Sequence, residues 1–178
     1  MGLYHYTPNV VTDDHAHEST TRRAPQPQVI LAFDFGTRRI GIASGDTLTR
    51  TARPLLTLNV TGHVAPWRDI EKIIHDYCPA RLIVGLPYNM DGTPTTLTEP
   101  ARNFARGLLQ RYAAPVALVD ERLSSREAEA QLRNARAQGL KRRRLTHGDV
   151  DMTAAKVLLE RWFEDPSAAE DLSSEKES

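Results

Sequence analysis

The sequence predicts an α/β fold, a five-stranded mixed sheet with helices on both faces, and three observations carry that expectation. Short apolar runs at 29–33, 81–86 and 116–120 have the length and composition of buried strands. Segments at 66–77, 96–112 and 149–163 instead place their apolar residues at helical spacing. Two strand-like segments, 40–45 and 53–59, follow the first run so closely that the first two strands must pair antiparallel.

Taken in order, residues 1–28 hold three prolines, many polar residues and no sustained periodicity, which predicts a flexible arm. The domain proper, 29–163, opens with Val29-Ile30-Leu31-Ala32-Phe33, a strand that runs into Asp34-Phe35-Gly36-Thr37. A turn around Arg38 returns the chain through Ile40-Gly41-Ile42-Ala43, and 53–59 forms the third strand. Pro66 suits a first helical turn, and Trp67, Ile70, Ile73, Ile74 and Tyr77 then mark one face of a helix. The strand 81–86 ends in the loop 87–93, a helix follows at 96–112, and 116–120 is the fifth strand. Ser124 and Glu127 have the spacing of a capping box for a helix reaching about 137. A basic loop, 138–146, precedes the last helix, for which Asp149 is the expected N-cap. Residues 164–178 read as an acidic, disordered tail.

Composition narrows the function classes. No apolar run approaches the roughly 18 residues that span a bilayer, and residues 1–28 lack a basic-then-apolar export signal. The single cysteine, Cys78, excludes an internal disulfide and reads as a structural thiol at a helix end. A cytoplasmic protein without membrane partners is expected. The net charge is zero, but residues 164–178 carry −5 and residues 1–28 carry −1, leaving +6 on residues 29–163. A basic body fits a polyanionic partner.

Three acids at the ends of separate elements stand out. Asp34 closes the first strand and is followed by Gly36 and Thr37, which would let a phosphate approach the backbone. The ordinary alternative is an Asp-x-Gly turn. Asp120 and Glu121 end the fifth strand, and since successive strand side chains alternate, only one can face Asp34; the sequence leaves open which. Asp151 shares a helical face with Ala155, Leu158 and Trp162, so it should point inward, toward a metal or a basic partner, while the face of Asp149, Thr153, Lys156 and Glu160 looks solvated. Carboxylates gathered beyond parallel strands, on a basic domain, point to divalent metal acting on phosphate. Thr37, Arg38 and Asn89, with the basic run Arg136, Lys141, Arg142, Arg143 and Arg144, are the candidate contacts to a nucleic-acid backbone.

Together these segments resemble the YqgF (RuvX) family of Holliday-junction-resolvase-like nucleases. The resemblance rests on Asp34-Phe35-Gly36-Thr37-Arg38-Arg39-Ile40-Gly41-Ile42-Ala43, on Gly85-Leu86-Pro87 with Asn89 and Asp91-Gly92-Thr93, on Asp120-Glu121-Arg122-Leu123-Ser124, and on Val150-Asp151 with Ala154-Ala155. It implies a ribonuclease-H-like fold and an acidic site at Asp34, Glu121 and Asp151, thereby choosing Glu121 over Asp120. It further implies Mg²⁺ or Mn²⁺ at those three acids and a cytoplasmic nuclease acting on the ends of precursor 16S ribosomal RNA, with ribosomal particles as further partners. Structured DNA, as for a junction resolvase, and non-cleaving RNA binding in ribosome assembly are the alternatives. Asp34-x-Gly36-Thr37 also resembles the phosphate motif of actin-like ATPases, but those need a second such domain, and this chain has no second copy.

Overall fold

A computed structural model describes residues 26–62, 64–122, 134 and 146–172. Six strands and three helices organise them: β1 (Val29–Phe35), β2 (Arg39–Asp46), β3 (Thr51–Asn59), α1 (Trp67–Tyr77), β4 (Arg81–Leu86), α2 (Thr98–Arg111), β5 (Val116–Asp120), α3 (His147–Glu164), a short 3₁₀ turn (Pro166–Ala168) and β6 (Glu170–Leu172). The strands form one mixed sheet in the order β3-β2-β1-β4-β5-β6. β2 pairs antiparallel with β1 and β3, as the tight first turn requires, while β1, β4 and β5 run parallel.

Strand alternation sorts the core between the two faces. Leu31, Phe33, Ile40, Ile42, Val84 and Leu118 pack with Ile70, Phe104 and Leu108, so α1 and α2 cover one face. Ile30, Ala32, Ile83, Ala117 and Val119 pack with Leu158, Leu159 and Phe163, so α3 covers the other. Helices therefore lie on both faces, as expected.

The strand count differs from expectation. β6 lies inside 164–178, read from sequence as a disordered tail, and it pairs antiparallel with β5 at the sheet edge. Glu170 meets Arg102 at 2.6 Å and Asp171 pairs with Arg81. Three residues with no alternation leave no periodic signal, and both arginines are remote in sequence. The last helix also starts earlier. Thr146 is the N-cap: its hydroxyl accepts from the Asp149 amide, and Asp149 Oδ2 accepts from the Thr146 amide at 2.9 Å. Asp149 is thus the third helical residue of a capping box rather than the cap itself. It is 1% exposed and Thr153 is 4% exposed, so the face read as solvated is buried at its start. The reason is tertiary: α3 lies across β1, β2 and β3 together, and Thr57 on β3 donates to the Gly148 carbonyl at 2.8 Å. Apart from residue 134, which is helical, the expected helix at 124–137 lies outside the described residues, as do most of the basic loop and residues 1–25 of the arm. No helix among the described residues is long and apolar enough to cross a membrane.

Candidate active site

Parallel pairing of β1 with β4 and β4 with β5 brings the ends of all three strands to one sheet edge. Asp34 lies two residues beyond Ala32 and Glu121 two beyond Val119, so both side chains rise on the face that α3 covers. Between them runs β4, where Gly85 has no side chain. A Cβ there would stand 2.6 Å from Glu121 Oε2 and 3.2 Å from Leu158 Cδ2. Glycine at this position lets Glu121 reach across β4 and hydrogen-bond Asp34.

Asp120 points the other way and pairs with Arg122 Nε at 2.6 Å. The choice that the residues alone left open follows from strand phase, since Glu121 continues the row Ala117, Val119 that packs beneath α3. On the neighbouring strand, Asp34 faces Gly41 across the β1–β2 ladder. A Cβ on Gly41 would overlap the Asp151 carbonyl and stand 2.8 Å from the Met152 amide. This second glycine allows the first turns of α3 to rest directly on β2 and carries Asp151 to the site.

Burial raises the Asp34 carboxyl to about 6, against a lowering hydrogen bond from Glu121, with the Asp151 charge adding a further rise. Burial raises Glu121 to about 9, with the Asp34 charge, its hydrogen bond and Asp120 acting in the same direction. At neutral pH the pair therefore holds a proton, on Glu121. Neither carboxyl meets a basic group among the described residues. Asp151 does: its Oδ2 accepts from Arg39 Nε at 2.5 Å, the basic partner that an inward acid requires.

Among the described residues no three His, Cys, Asp or Glu side chains are grouped so as to hold a metal ion together. Asp34 and Glu121 alone form a compact donor set. Two half-buried carboxyls with hard oxygen atoms and no compensating cation among the described residues fit a divalent ion such as Mg²⁺ or Mn²⁺.

The raised values have a consequence for stability. Both folded-state values lie above the ordinary carboxylate range near 4, so the folded chain keeps protons that the unfolded chain has released. Stability of the ion-free protein should therefore fall as pH rises from that range through about 6 and about 9. Melting temperatures in chelator should decline from about pH 5 to about pH 9, and Glu121→Gln should flatten the alkaline part of the decline. Parallel curves for the two proteins would contradict the assigned burial.

The remaining candidate residues divide. Thr37 and Arg38 are exposed in the β1–β2 turn that follows Asp34, closed by Gly36 N–H donating to the Arg39 carbonyl at 2.9 Å. Asn89 is occupied within its own loop, donating to Thr93 Oγ1 at 2.9 Å and to the Pro94 carbonyl at 3.3 Å. Arg136, Lys141, Arg142, Arg143 and Arg144 lie outside the described residues. The sequence reading gave no role to Arg39, Gly41 or Gly85. Period-two phase along β2 links the first two, but only once the face under α3 is known.

The model of the family described as RuvX, Holliday junction resolvase, matches residues 28–165. A protein of Edwardsiella ictaluri named "Putative pre-16S rRNA nuclease" is 47% identical over 138 residues, which is 78% of this chain and 96% of that protein. One of the same name from Pectobacterium carotovorum is 45% identical over 137 residues, covering 77% of this chain and 96% of its own length. The Fowlpox virus resolvase, solved with Holliday junction DNA, superimposes with a TM-score of 0.50 at 13% identity, covering 78% of this chain and 99% of that one. At that identity the likeness concerns the fold alone.

Proposed function

The chain belongs to the RuvX family, and from that premise we propose that it is a metal-dependent nuclease, a phosphodiester hydrolase that processes the ends of precursor 16S ribosomal RNA in the cytoplasm. The observation that carries this reading is the Asp34–Glu121 pair, two half-buried carboxyls at the ends of parallel strands that meet no basic group among the described residues. Its relatives' names supply the substrate.

Asp34 and Glu121 would hold the ion. Asp151 would support it through Oδ1, since Oδ2 is taken by Arg39. When bound, a divalent ion supplies Lewis acidity at a phosphoryl oxygen and activates water near neutral pH. The protein's own residues do the rest. Glu121 gives up the proton of the pair as the site loads. α3 and the sheet exclude solvent from beneath the two carboxyls, so that their charge acts in a medium of low polarity. Thr37 and Arg38, exposed beside Asp34, meet the phosphates of the bound strand, and the basic run Arg136, Lys141, Arg142, Arg143 and Arg144 extends the contact along it. Asn89 holds the 87–94 loop in shape and reaches substrate only by releasing those bonds. Ribosomal particles carrying the precursor are the natural context of such a substrate.

A second reading, cleavage of a four-way DNA junction, is favoured by the family's description. The test sets a fragment spanning a precursor-16S end beside a synthetic junction, with the full chain in Mn²⁺ or in chelator. Ion-dependent cutting of the RNA is expected. Cutting of the junction alone supports the second reading, and binding without cutting of either sinks the nuclease assignment.

A further inference from the structure

We propose that Arg39 is a phosphate-binding residue of this site, with its guanidinium aimed by Asp151. The inference rests on the reading of the site as one for a phosphodiester.

Arg39 opens β2, two residues before Gly41 and on the same face of the strand. That face is the one α3 covers, and Gly41 brings the backbone of Asp151 down onto it. The arginine side chain therefore projects beside the acids, on the strand paired with the one that ends in Asp34. Asp151 holds it through Nε alone, at 2.5 Å. A carboxylate that only neutralised an arginine would more commonly take two nitrogens in a forked pair. Held through Nε, Arg39 keeps both terminal nitrogens without a side-chain partner among the described residues, and its side chain remains 34% exposed. Four N–H donors are thus left without a side-chain partner among the described residues, on the residue that follows Thr37 and Arg38 in the chain.

Electrostatics requires such a residue. The charges of Asp34 and Asp151 repel an incoming phosphate, and Arg39 is the cation that contacts either of them among the described residues. A planar guanidinium pinned at one corner presents two parallel donors with little rotamer freedom left to lose, which suits phosphate better than a flexible ammonium. Asp151 accordingly has two faces: Oδ2 orients the arginine while Oδ1 remains for the ion.

The test separates binding from cleavage. Asp34→Asn provides a background in which substrate can be titrated in chelator, and fluorescence anisotropy reads the affinity of a labelled precursor-16S fragment and of a four-way DNA junction. Adding Arg39→Ala should weaken binding of at least one of them by about tenfold, the worth of one charged hydrogen-bonded contact. The slope of log affinity against log salt should shrink by about 0.7 for the single-stranded RNA or about 0.9 for the duplex DNA, one phosphate contact fewer. Arg39→Lys should restore the slope but only part of the affinity, because the charge returns without the fork. Circular dichroism of each variant checks the fold, and Arg39→Lys keeps the test open if alanine does not fold. Unchanged affinity and slope for both nucleic acids in Arg39→Ala would overturn the proposal and leave the arginine as a strut for α3. Because no cutting is measured, an inactive wild type would count against the nuclease reading and not against this one.

Discussion

Asparagine in place of Asp34 is expected to lower ion-dependent cleavage by roughly a thousandfold, the several kcal/mol that a bound ion contributes to the transition state. The fold should survive the change. The asparagine amide oxygen accepts from protonated Glu121 where the Asp34 carboxylate did, and the substitution removes a charge from a half-buried site. It also removes the Asp34 charge that helps raise the Glu121 carboxyl. In chelator at alkaline pH the variant should therefore melt no lower than the wild type, and its circular dichroism should match. Full activity in a preparation free of contaminating nuclease would remove Asp34 from the site. Loss of activity together with a collapsed melting temperature would make its part structural.

The second large effect concerns stability. Gly41→Ala should destabilise the protein by about 3 kcal/mol, the upper part of the range for overpacking, and lower its melting temperature by roughly 10 °C for a domain of this size. The obstacle is backbone on both sides. A Cβ at residue 41 overlaps the Asp151 carbonyl, and β2 cannot retreat because β1 and β3 flank it with Asp34 and Thr57 as ladder partners. Relief must come from α3 lifting, which also draws Asp151 and its Arg39 contact away from the sheet edge. Gly148→Ala is the control. Its Cβ would meet Thr57 at 3.6 Å, an ordinary contact, so its melting temperature should stay close to the wild type. Similar melting temperatures for the two variants would show that α3 does not bear on Gly41 as described.

The architecture was legible where hydrophobic periodicity encodes it. The runs that became β1, β4 and β5 and the faces of α1 and α3 carry their period in the residues themselves. β6 was not legible, because three polar-flanked residues acquire strand geometry only from β5 and from Arg81 and Arg102. The burial of Asp149 was hidden for a related reason: a helical face is polar by composition, yet β3 reaches beneath its first turn. At the site, Asp34 and Asp151 announced themselves by position at element ends. Glu121 parts from Asp120 through strand phase, which needs the knowledge that α3 covers the Ala117–Val119 row. The two glycines and Arg39 matter through contacts made across the sheet, and no local pattern in a chain records those.

Whether Asp34 and Glu121 form a divalent-ion site is tested without recourse to catalysis by calorimetric titration of Mn²⁺ into the wild type and Glu121→Gln. The wild type should bind with release of a proton, more tightly as pH rises, and Glu121→Gln should bind at least about a hundredfold more weakly with no proton released. Equal affinity and equal proton release in the two proteins would show that Glu121 does not hold the ion.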